Sequence, residues 1–342
     1  MRITAVETIP YALPFREPYV TARGRLERRE LVLVRLRTDE GLEGLGEAVA
    51  LSLRGGPSLA EIERDLSESG GELVEGLSLP ARAALEMALL DLEAKRQDDP
   101  AWRVLGAGSA APVTCNATLV AGPPSAVAAE AERWAERGFT TFKLKVGVPG
   151  DVGQVEAVRA ALGPQARIRV DANGAWSPQE AMLRLTAMER HGIELAEQPA
   201  PELEDMALVR GQTAVPIAAD ESIASPADAE RAIELGACQL ATVKLAKVGG
   251  FQAARAIAAT LPTYLSSALD GPIGIAAAAH AAQCLPRDGP ATGLAHGLAT
   301  QLLFADTIAS RECEARDGLL HLPDGPGLGI EIDEAALERH RL

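Results

Sequence analysis

Charged side chains recur at near-constant intervals through the second half of the chain, each at the end of a short apolar run. Lys145 is followed after 26 residues by Asp171, after another 26 by Glu197, after 23 by Asp220 and after 24 by Lys244. Each interval has the length of one strand, one helix and their loops. Because the carboxyl ends of parallel strands meet at one face of a barrel, this spacing predicts that the five side chains share one small space.

The apolar runs between these charges predict the fold. From Pro112 onward they alternate with amphipathic stretches of helical periodicity. The predicted strands are residues 113–120, 140–145, 167–170, 193–197, 217–220, 239–244, 263–268 and 292–294. About eight strands that alternate with helices over roughly 200 residues are typical of a TIM-like barrel, with an open doubly wound sheet as the structural alternative.

The first part of the chain follows a different pattern. Its predicted strands are residues 2–10, 30–38 and 44–50, and its predicted helices are residues 59–66 and 80–95. Asp39-Glu-Gly41 predicts a hairpin turn between the second and third strands. We therefore predict an α+β unit over residues 1–110, a barrel over 111–310 and a turn-rich tail over 311–342 that packs back on the first unit.

The charge balance excludes several classes of partner. The chain has 33 basic and 48 acidic residues, a formal net charge of −15. Like charges repel at nucleic-acid backbones and anionic lipid surfaces, so we expect neither nucleic acid nor membrane as a partner. A small carboxylate substrate requires a local cation to overcome this field. Four cysteines without a C-x-x-C pair, and an N-terminus without the apolar core of a signal peptide, predict buried thiols and a cytoplasmic location.

Three of the strand-end residues are carboxylates, which suggests a metal. Asp171, Glu197 and Asp220 offer oxygen ligands from three rigid strand ends. Oxygen ligands with water and substrate completing an octahedron suit Mg²⁺, and Mn²⁺ is an alternative. Zinc is disfavoured because no histidine or cysteine belongs to the cluster. The sequence therefore predicts a Mg²⁺ site.

The lysines of the cluster predict a base. A metal cation and a second ammonium both favour the neutral form of a lysine, so Lys143 is expected to lower the pKa of Lys145. Lys145 and Lys244 belong to the second and sixth strands and would lie on opposite sides of a metal-held substrate. This arrangement predicts proton transfer at a carbon atom.

The motifs around these side chains resemble one family. They are Lys143-Leu-Lys145, Asp171-Ala-Asn173, Glu197-Gln-Pro199, Asp220-Glu221-Ser222 and Lys244-Leu-Ala-Lys247-Val-Gly-Gly250, with Gly44-Leu-Gly46-Glu47 near the start and Gly325-Pro-Gly-Leu-Gly329 in the tail. In this order they resemble the muconate-lactonizing-enzyme branch of the enolase superfamily over essentially the whole chain. The resemblance implies a (β/α)7β barrel and an α+β capping domain formed by the N-terminal part and the C-terminal tail.

The resemblance also implies roles for the cluster. The implied Mg²⁺ ligands are Asp171, Glu197 and Asp220. Lys145 and Lys244 would flank the reacting carbon, which lies beside a substrate carboxylate and loses its proton to give an enediolate. Lys143 would tune Lys145, while Asn173 and Glu221 would orient ligands or substrate. An early loop over residues 15–27 would close over the site, and a homo-oligomer is expected.

Three fates of the enediolate remain open within this branch. Loss of a β-hydroxyl gives o-succinylbenzoate, as in menaquinone biosynthesis; reprotonation on the other face is the reaction of N-succinylamino acid racemases and dipeptide epimerases; cycloisomerisation gives a lactone. The predicted ends of strands seven and eight bear on this choice. Ser266-Ser267-Ala-Leu-Asp270 resembles o-succinylbenzoate synthases, a class of lyase, with Ser266 or Ser267 bonded to the succinyl tail.

The end of strand eight argues against an ammonium substrate. It reads Ala295-His296-Gly297, whereas dipeptide epimerases commonly carry paired acids there, as partners for the substrate ammonium. We therefore favour the synthase, with the racemase or epimerase as the alternative. Arg23 and Arg25 in the early loop are expected to be surface residues, with the offsetting of a second substrate carboxylate as the alternative. His280 is expected to be a packing residue and His296 to lie outside the pocket, with a place in its lining as the alternative.

Overall fold

An antiparallel three-stranded sheet forms the start of the chain in the computed structural model, which describes residues 1–51, 55–286 and 291–342. The strands are β1 (Ile3–Thr21), β2 (Gly24–Thr38) and β3 (Glu43–Val49), with β2 in the middle. The helices that follow are α1 (Leu59–Glu68), α2 (Leu79–Gln97) and α3 (Ala101–Val104). The predicted turn at Asp39-Glu-Gly41 is confirmed, because the amide of Thr38 donates to the carbonyl of Leu42.

The two faces of this sheet pack against different partners. Val32, Val34 and Leu36 alternate along β2 and pack with α1 and α2, whereas Leu31 and Leu33 point the other way and belong to the core of the barrel. The sheet therefore lies between its own helices and the rest of the molecule. This position brings one end of it to the barrel face where the charged residues meet.

The expectation of an early loop over residues 15–27 is wrong. β1 continues to Thr21 and pairs with β2 as a long hairpin, with a register shift between Pro14 and Tyr19. The rings of Phe15 and Tyr19 stack, and Phe15 also stacks on Phe304. Burial of these aromatic side chains stabilises extended backbone where the family resemblance implied a loop.

Within the described residues, the barrel sheet has seven parallel strands that neighbour one another in chain order. They are β5 (Ala117–Leu119), β6 (Thr141–Lys145), β7 (Arg167–Asp171), β8 (Ile193–Glu197), β9 (Ile217–Ala219), β10 (Leu240–Val243) and β11 (Thr263–Leu265), preceded by the short β4 (Val113–Thr114). The intervening helices are α4 (Pro124–Glu136), α5 (Asp151–Leu162), α6 (Pro178–Glu189), α7 (Leu203–Arg210), α8 (Pro226–Glu234), α9 (Leu245–Val248), α10 (Phe251–Thr260) and α11 (Pro272–Ala282). The (β/α)7β barrel is confirmed.

The ring closes through a very short eighth segment. His296 bridges to Cys115 on one side, and Gly297 bridges to Ser266 on the other. The amide of His296 donates to Thr114 and that of Gly297 to Leu265. The strand was predicted at residues 292–294, a few residues too early. Residues 291–293 form a turn, in which Gly293 has a φ of +76°, and the bridges follow at His296 and Gly297.

The tail contacts both parts of the molecule. After a 3-10 helix (Ala299–Leu303) it forms β12 (Ala309–Arg311), β13 (Glu314–Arg316), β14 (Leu319–His321), β15 (Glu331–Ile332) and α12 (Glu334–His340). β14 pairs with β4, while α12 packs against β1 and the Leu342 amide donates to Pro10. The helix was not predicted; the Asp333 side chain caps it. The domain limits at 110 and 310 stay predictions.

Three of the four cysteines are buried in this fold. Cys115, Cys238 and Cys313 are buried free thiols as predicted, whereas Cys284 is half-buried. Within the described part of the chain, no helix is both long and apolar enough to cross a bilayer.

Candidate active site

The strand ends bring the predicted charged residues together. Lys143 and Lys145 are two residues apart on β6, so both point into the barrel. Asp171 and Glu197 end β7 and β8, Asp220 directly follows β9, and Lys244 directly follows β10. All six side chains are at most 5% exposed. Burial of so many charges requires that they pair with one another.

Lysines and carboxylates alternate in this cluster. The Nζ of Lys143 lies 2.7 Å from Glu197 Oε1 and 2.9 Å from Asp171 Oδ2. The Nζ of Lys145 lies 2.6 Å from the same Asp171 oxygen, and Lys244 is ion-paired with Asp220. Each carboxylate therefore contacts at least one ammonium, which offsets the cost of removing these charges from water.

Opposing effects set the ionisation of the acids. Burial raises the pKa of Asp171, but the ammonium groups of Lys143 and Lys145 lower it, and its net pKa lies well below the ordinary value. Burial and the Asp171 charge raise the pKa of Glu197. Of Asp171 and Glu197, Asp171 therefore loses its proton more readily.

Lys143 lowers the pKa of Lys145 as predicted, but the Asp171 carboxylate opposes it. Burial lowers the pKa of Lys145, the Asp171 carboxylate raises it and Lys143 lowers it, and the net pKa lies above the ordinary value. The reason is the 2.6 Å contact with Asp171, which favours the charged form of the lysine. Repulsion by Lys143 acts in the predicted direction but is outweighed.

A pocket opens above the cluster, between the barrel and the β1–β2 hairpin. Its lining residues are Tyr19, Thr21, Arg23, Arg29, Leu51, Thr118, Lys143, Lys145, Asn173, Lys244, Ser266, Ser267, Ala268, Leu269 and Thr300. The cationic members come from both domains. Among the residues that the structure describes, no aspartate or glutamate lines this pocket, so its surface suits an anionic ligand.

Asn173 and Glu221 form a second layer beside the pocket. Asn173 lines the pocket, receives a hydrogen bond from Lys145 (3.3 Å) at its Oδ1 and donates to Glu221 Oε1 (3.0 Å). Its carbonyl accepts from Arg23 Nε at 2.9 Å. Asn173, itself bonded to Glu221, is therefore placed to orient Lys145, and the supporting role of both residues stays a prediction.

The two early arginines have different positions. Arg23 is exposed, as expected of a surface arginine, but it also lines the pocket and lies 3.8 Å from Glu221. Arg25 has an exposed side chain that pairs with Glu27, as expected. The difference arises because the hairpin tip turns Arg23, and not Arg25, toward the barrel.

The segment after β11 forms one wall of the pocket. Ser266 and Ser267 line it as predicted. Asp270 lies outside the lining and is buried; its Oδ2 accepts from the Ala268 amide at 2.7 Å, so it supports the wall.

Both histidines singled out from the sequence are structural. His296 is half-buried at the closure of the ring, where its Nδ1 accepts from the Leu265 amide, and removal of the ring from water lowers its pKa to about 4. His280 accepts from the Trp102 amide, as expected for a packing residue. Neither lines the pocket.

Three residues at the site were missed by the sequence analysis. Tyr264 donates from inside the barrel to Glu197 Oε2 at 2.7 Å, and Lys247 contacts Asp220 Oδ1 at 2.9 Å. Arg29 is 4% exposed and donates to the Ala268 carbonyl. Lys247 lies one helical turn after Lys244, a spacing that indicates a shared face. Nothing local in the sequence indicates the positions of Tyr264 and Arg29.

Comparison with known proteins identifies the family. The model described as "Mandelate racemase / muconate lactonizing enzyme, N-terminal domain" matches residues 3–69, and "Enolase C-terminal domain-like" matches residues 126–336. The chain belongs to the enolase superfamily. The predicted resemblance to this superfamily and to its muconate-lactonizing-enzyme branch is thus confirmed, and the chain is an enzyme of that superfamily.

Individual relatives within the superfamily differ in the reactions that their names state. Muconate cycloisomerase 1 of Pseudomonas putida is 32% identical, over 99% of this chain and 97% of that protein. N-succinyl-L-Arg/Lys racemase of Bacillus cereus is 28% identical, over 99% and 97%. The dipeptide epimerase of Enterococcus faecalis, solved with Mg and the dipeptide L-Leu-L-Tyr, has a TM-score of 0.88 at 28% identity, over 97% and 100%. These names favour the alternative of racemisation or epimerisation over the synthase interpretation.

Proposed function

We propose that the enzyme is a racemase or epimerase that moves a proton between the two faces of a carbon beside a substrate carboxylate. The observation that carries this proposal is the placement of Lys145 and Lys244 in one pocket. Their strands, β6 and β10, are separated by three others in the ring, so the two ammonium groups approach from opposite sides. A proton can then leave to one lysine and arrive from the other.

The donor set fits a divalent cation. Asp171, Glu197 and Asp220 are buried carboxylates on three adjacent strands, the oxygen chemistry that Mg²⁺ prefers, and we propose them as its ligands, with Mn²⁺ as an alternative. In the described residues no three acidic, histidine or cysteine side chains are already grouped to hold a metal, so the lysine contacts with these carboxylates would have to loosen when the cation binds. When bound, the metal supplies positive charge that stabilises negative charge on the substrate carboxylate.

The lysines carry the proton. Lys145 accepts a proton only when it is neutral, a form that burial and Lys143 favour once Asp171 is engaged elsewhere. The Lys244 ammonium then protonates the enediolate from the other face, and the roles reverse for the opposite enantiomer. The hydrogen bond from Lys145 to Asn173 orients the base.

Pocket charge favours an acylated amino acid as substrate. A free substrate ammonium would meet Arg23, Arg29 and the lysines without an acidic partner among the described lining residues. An N-acyl group removes that charge, and a second carboxylate on it would gain a cationic partner. We therefore propose N-succinylamino acids or similar N-acylated amino acids.

A synthase reaction giving o-succinylbenzoate is the second candidate. Its substrate is also a dicarboxylate without an amine, and Ser266 and Ser267 line the pocket as that hypothesis requires. Elimination needs one base, whereas racemisation needs two. Lys244 therefore separates the two reactions.

The test is an assay with Mg²⁺ in D₂O. Purified enzyme is given each enantiomer of an N-succinylamino acid, and α-proton exchange and optical rotation are followed; the cyclohexadiene precursor of o-succinylbenzoate is assayed in parallel. We expect exchange with racemisation, and we expect Lys244→Ala to abolish racemisation while still exchanging the α-proton of one enantiomer. Fast loss of water from the precursor, with negligible α-proton exchange in the N-succinylamino acids, would show that the enzyme is a synthase and not a racemase.

A cytoplasmic location and homo-oligomerisation are also proposed, from the sequence features and the family resemblance given above.

A further inference from the structure

Glu47, in the second half of β3, is a fully buried acid outside the pocket lining. Its carboxylate accepts from the Tyr11 hydroxyl at 2.8 Å and from the Gly271 amide at 2.6 Å. The amides of Ile273 and Gly274 lie 3.3 and 3.4 Å away. Glu47 of the first sheet therefore binds the first turn of the barrel helix α11.

This contact replaces a missing cap. The first amides of a helix have no partner within the helix, so they need an oxygen acceptor from outside it. Gly271, which precedes α11, has no side chain to cap it. A Cβ added at Gly271 would lie 2.7 Å from Glu47 Oε2, and one at Gly274 would lie 2.9 Å from Oε1. The absence of a side chain at both glycines thus provides the space that the Glu47 carboxyl group occupies.

The helix that Glu47 caps begins where the pocket wall ends. Ser266 to Leu269 line the pocket, and Leu269 has a φ of +67°, a conformation that a leucine adopts only when its surroundings impose it. Inside the wall, Ser267 Oγ accepts from the Asp270 amide at 2.8 Å. Arg29 of β2 also donates to the Ala268 carbonyl at 2.8 Å. The first sheet thus holds this wall at two points.

We propose that Glu47 is a positioning residue: by binding the first turn of α11, it fixes the Ser266–Leu269 wall and so sets the affinity for substrate. The contact and its effect on the wall follow from the fold alone, whereas the effect on affinity rests on the proposed function. Glu47 does not touch the reacting carbon, so its loss acts on the Michaelis constant more than on the chemical step.

A second buried acid provides a matched control. Asp91 of α2 is 1% exposed and accepts from the amides of Leu45, on the same strand as Glu47, and Leu328 in the tail. It also links distant parts of the chain, but none of its partners lines the pocket. Asp91→Asn should therefore cost stability without moving the wall.

The experiment compares hydrogen exchange, thermal unfolding and kinetics in wild type, Glu47→Gln and Asp91→Asn. The glutamine keeps the size of Glu47 but turns an amide NH₂ toward backbone donors. We expect exchange in peptides over residues 266–275 to rise on the order of tenfold in Glu47→Gln alone, and KM to rise by a similar factor with kcat within about threefold. Asp91→Asn should raise exchange near residues 44–46 and 326–329 and leave KM unchanged.

Hydrogen exchange keeps this inference testable whatever the substrate is. If residues 266–275 exchange at the wild-type rate in Glu47→Gln, or if both variants change KM equally, the positioning role is wrong even in an active racemase. If wild type turns over none of the substrates, the proposed function fails, while faster exchange confined to 266–275 still supports the role of Glu47 in holding the wall.

Discussion

Tyr264 fixes one carboxylate of the cluster from inside the barrel. Its hydroxyl donates to Glu197 and accepts from Thr242 Oγ1 at 2.7 Å, and the Arg169 guanidinium lies 5.0 Å from its ring. Burial and the Glu197 charge raise the pKa of Tyr264 well above its ordinary value, so the hydroxyl keeps its proton and remains a donor. Outer partners of this kind orient metal ligands.

The substitution Tyr264→Phe removes this hydrogen bond and little volume. We expect Mg²⁺ affinity, measured by calorimetry, to fall by about 10- to 100-fold. Thr242→Val is the control, because it leaves the Tyr264–Glu197 bond in place and should change affinity much less. Equal affinities in Tyr264→Phe and wild type would show that Glu197 needs no such support.

Removal of Lys145 tests the base. Lys145→Ala should lower kcat by at least about 10²-fold, since general-base catalysis contributes 10²–10⁴-fold, with Mg²⁺ affinity nearly intact. Turnover by stopped assay and Mg²⁺ binding by calorimetry check the two expectations. Substantial residual activity would assign proton removal to another group.

Among the elements, the β1–β2 hairpin contributes most to the pocket from outside the barrel. Its tip places Tyr19, Thr21 and Arg23 in the lining. Stacking of Phe15 on Tyr19 and Phe304 fixes the base of this tip. The hairpin thus covers the site as a packed element. Its Arg23 side chain donates to the carbonyl of Asn173, in the loop after β7.

Two arginines on this hairpin form a matched pair for a test of anion recognition. Arg23→Ala should raise KM for an N-succinylamino acid on the order of tenfold, because it removes a cation that lines the pocket beside Asn173. Arg25→Ala, which removes an exposed arginine paired with Glu27, should leave KM unchanged. Similar KM values in the two variants would place the second carboxylate elsewhere.

At the scale of the whole molecule, the junction between the first sheet and α11 makes stability depend on pH. Burial and the Asp270 charge raise the pKa of Glu47 from an ordinary value of 4.5 to about 8. A raised pKa means that the folded protein holds the proton more tightly than the unfolded chain. The contribution of this group to stability is therefore largest below the unfolded pKa and is lost as pH rises toward 8.

Urea unfolding at pH 5, 7 and 9 checks this expectation. The free energy of unfolding of wild type should fall between pH 5 and 9 by on the order of 3 kcal/mol more than that of Glu47→Gln, which has no titrating group at this position. Tyr11 and Asp270 face Glu47 and remain in both proteins, so the difference isolates Glu47. Parallel curves would show that the carboxylate is ionised throughout this range.

The cluster was predictable from sequence because it depends on local regularity. One strand and one helix per interval place Lys145, Asp171 and Glu197 at the same height in any parallel barrel. The positions of Tyr264, Arg29 and Glu47 depend on contacts between segments far apart in the chain, which no local pattern encodes. The early hairpin was missed for the same reason, since its extended form depends on stacking against Phe304.

The closure of the ring at His296 and Gly297 has a consequence for how such enzymes diversify. A single residue on each side joins the two ends of the sheet, and Gly297 is bridged to Ser266 in the pocket wall. A seam of two bridges can widen or narrow by small backbone shifts, while the ladders that hold the acids and lysines stay intact. Substitutions along the seam can thus alter which substrate side groups the pocket accepts without disturbing the chemistry at the substrate carboxylate.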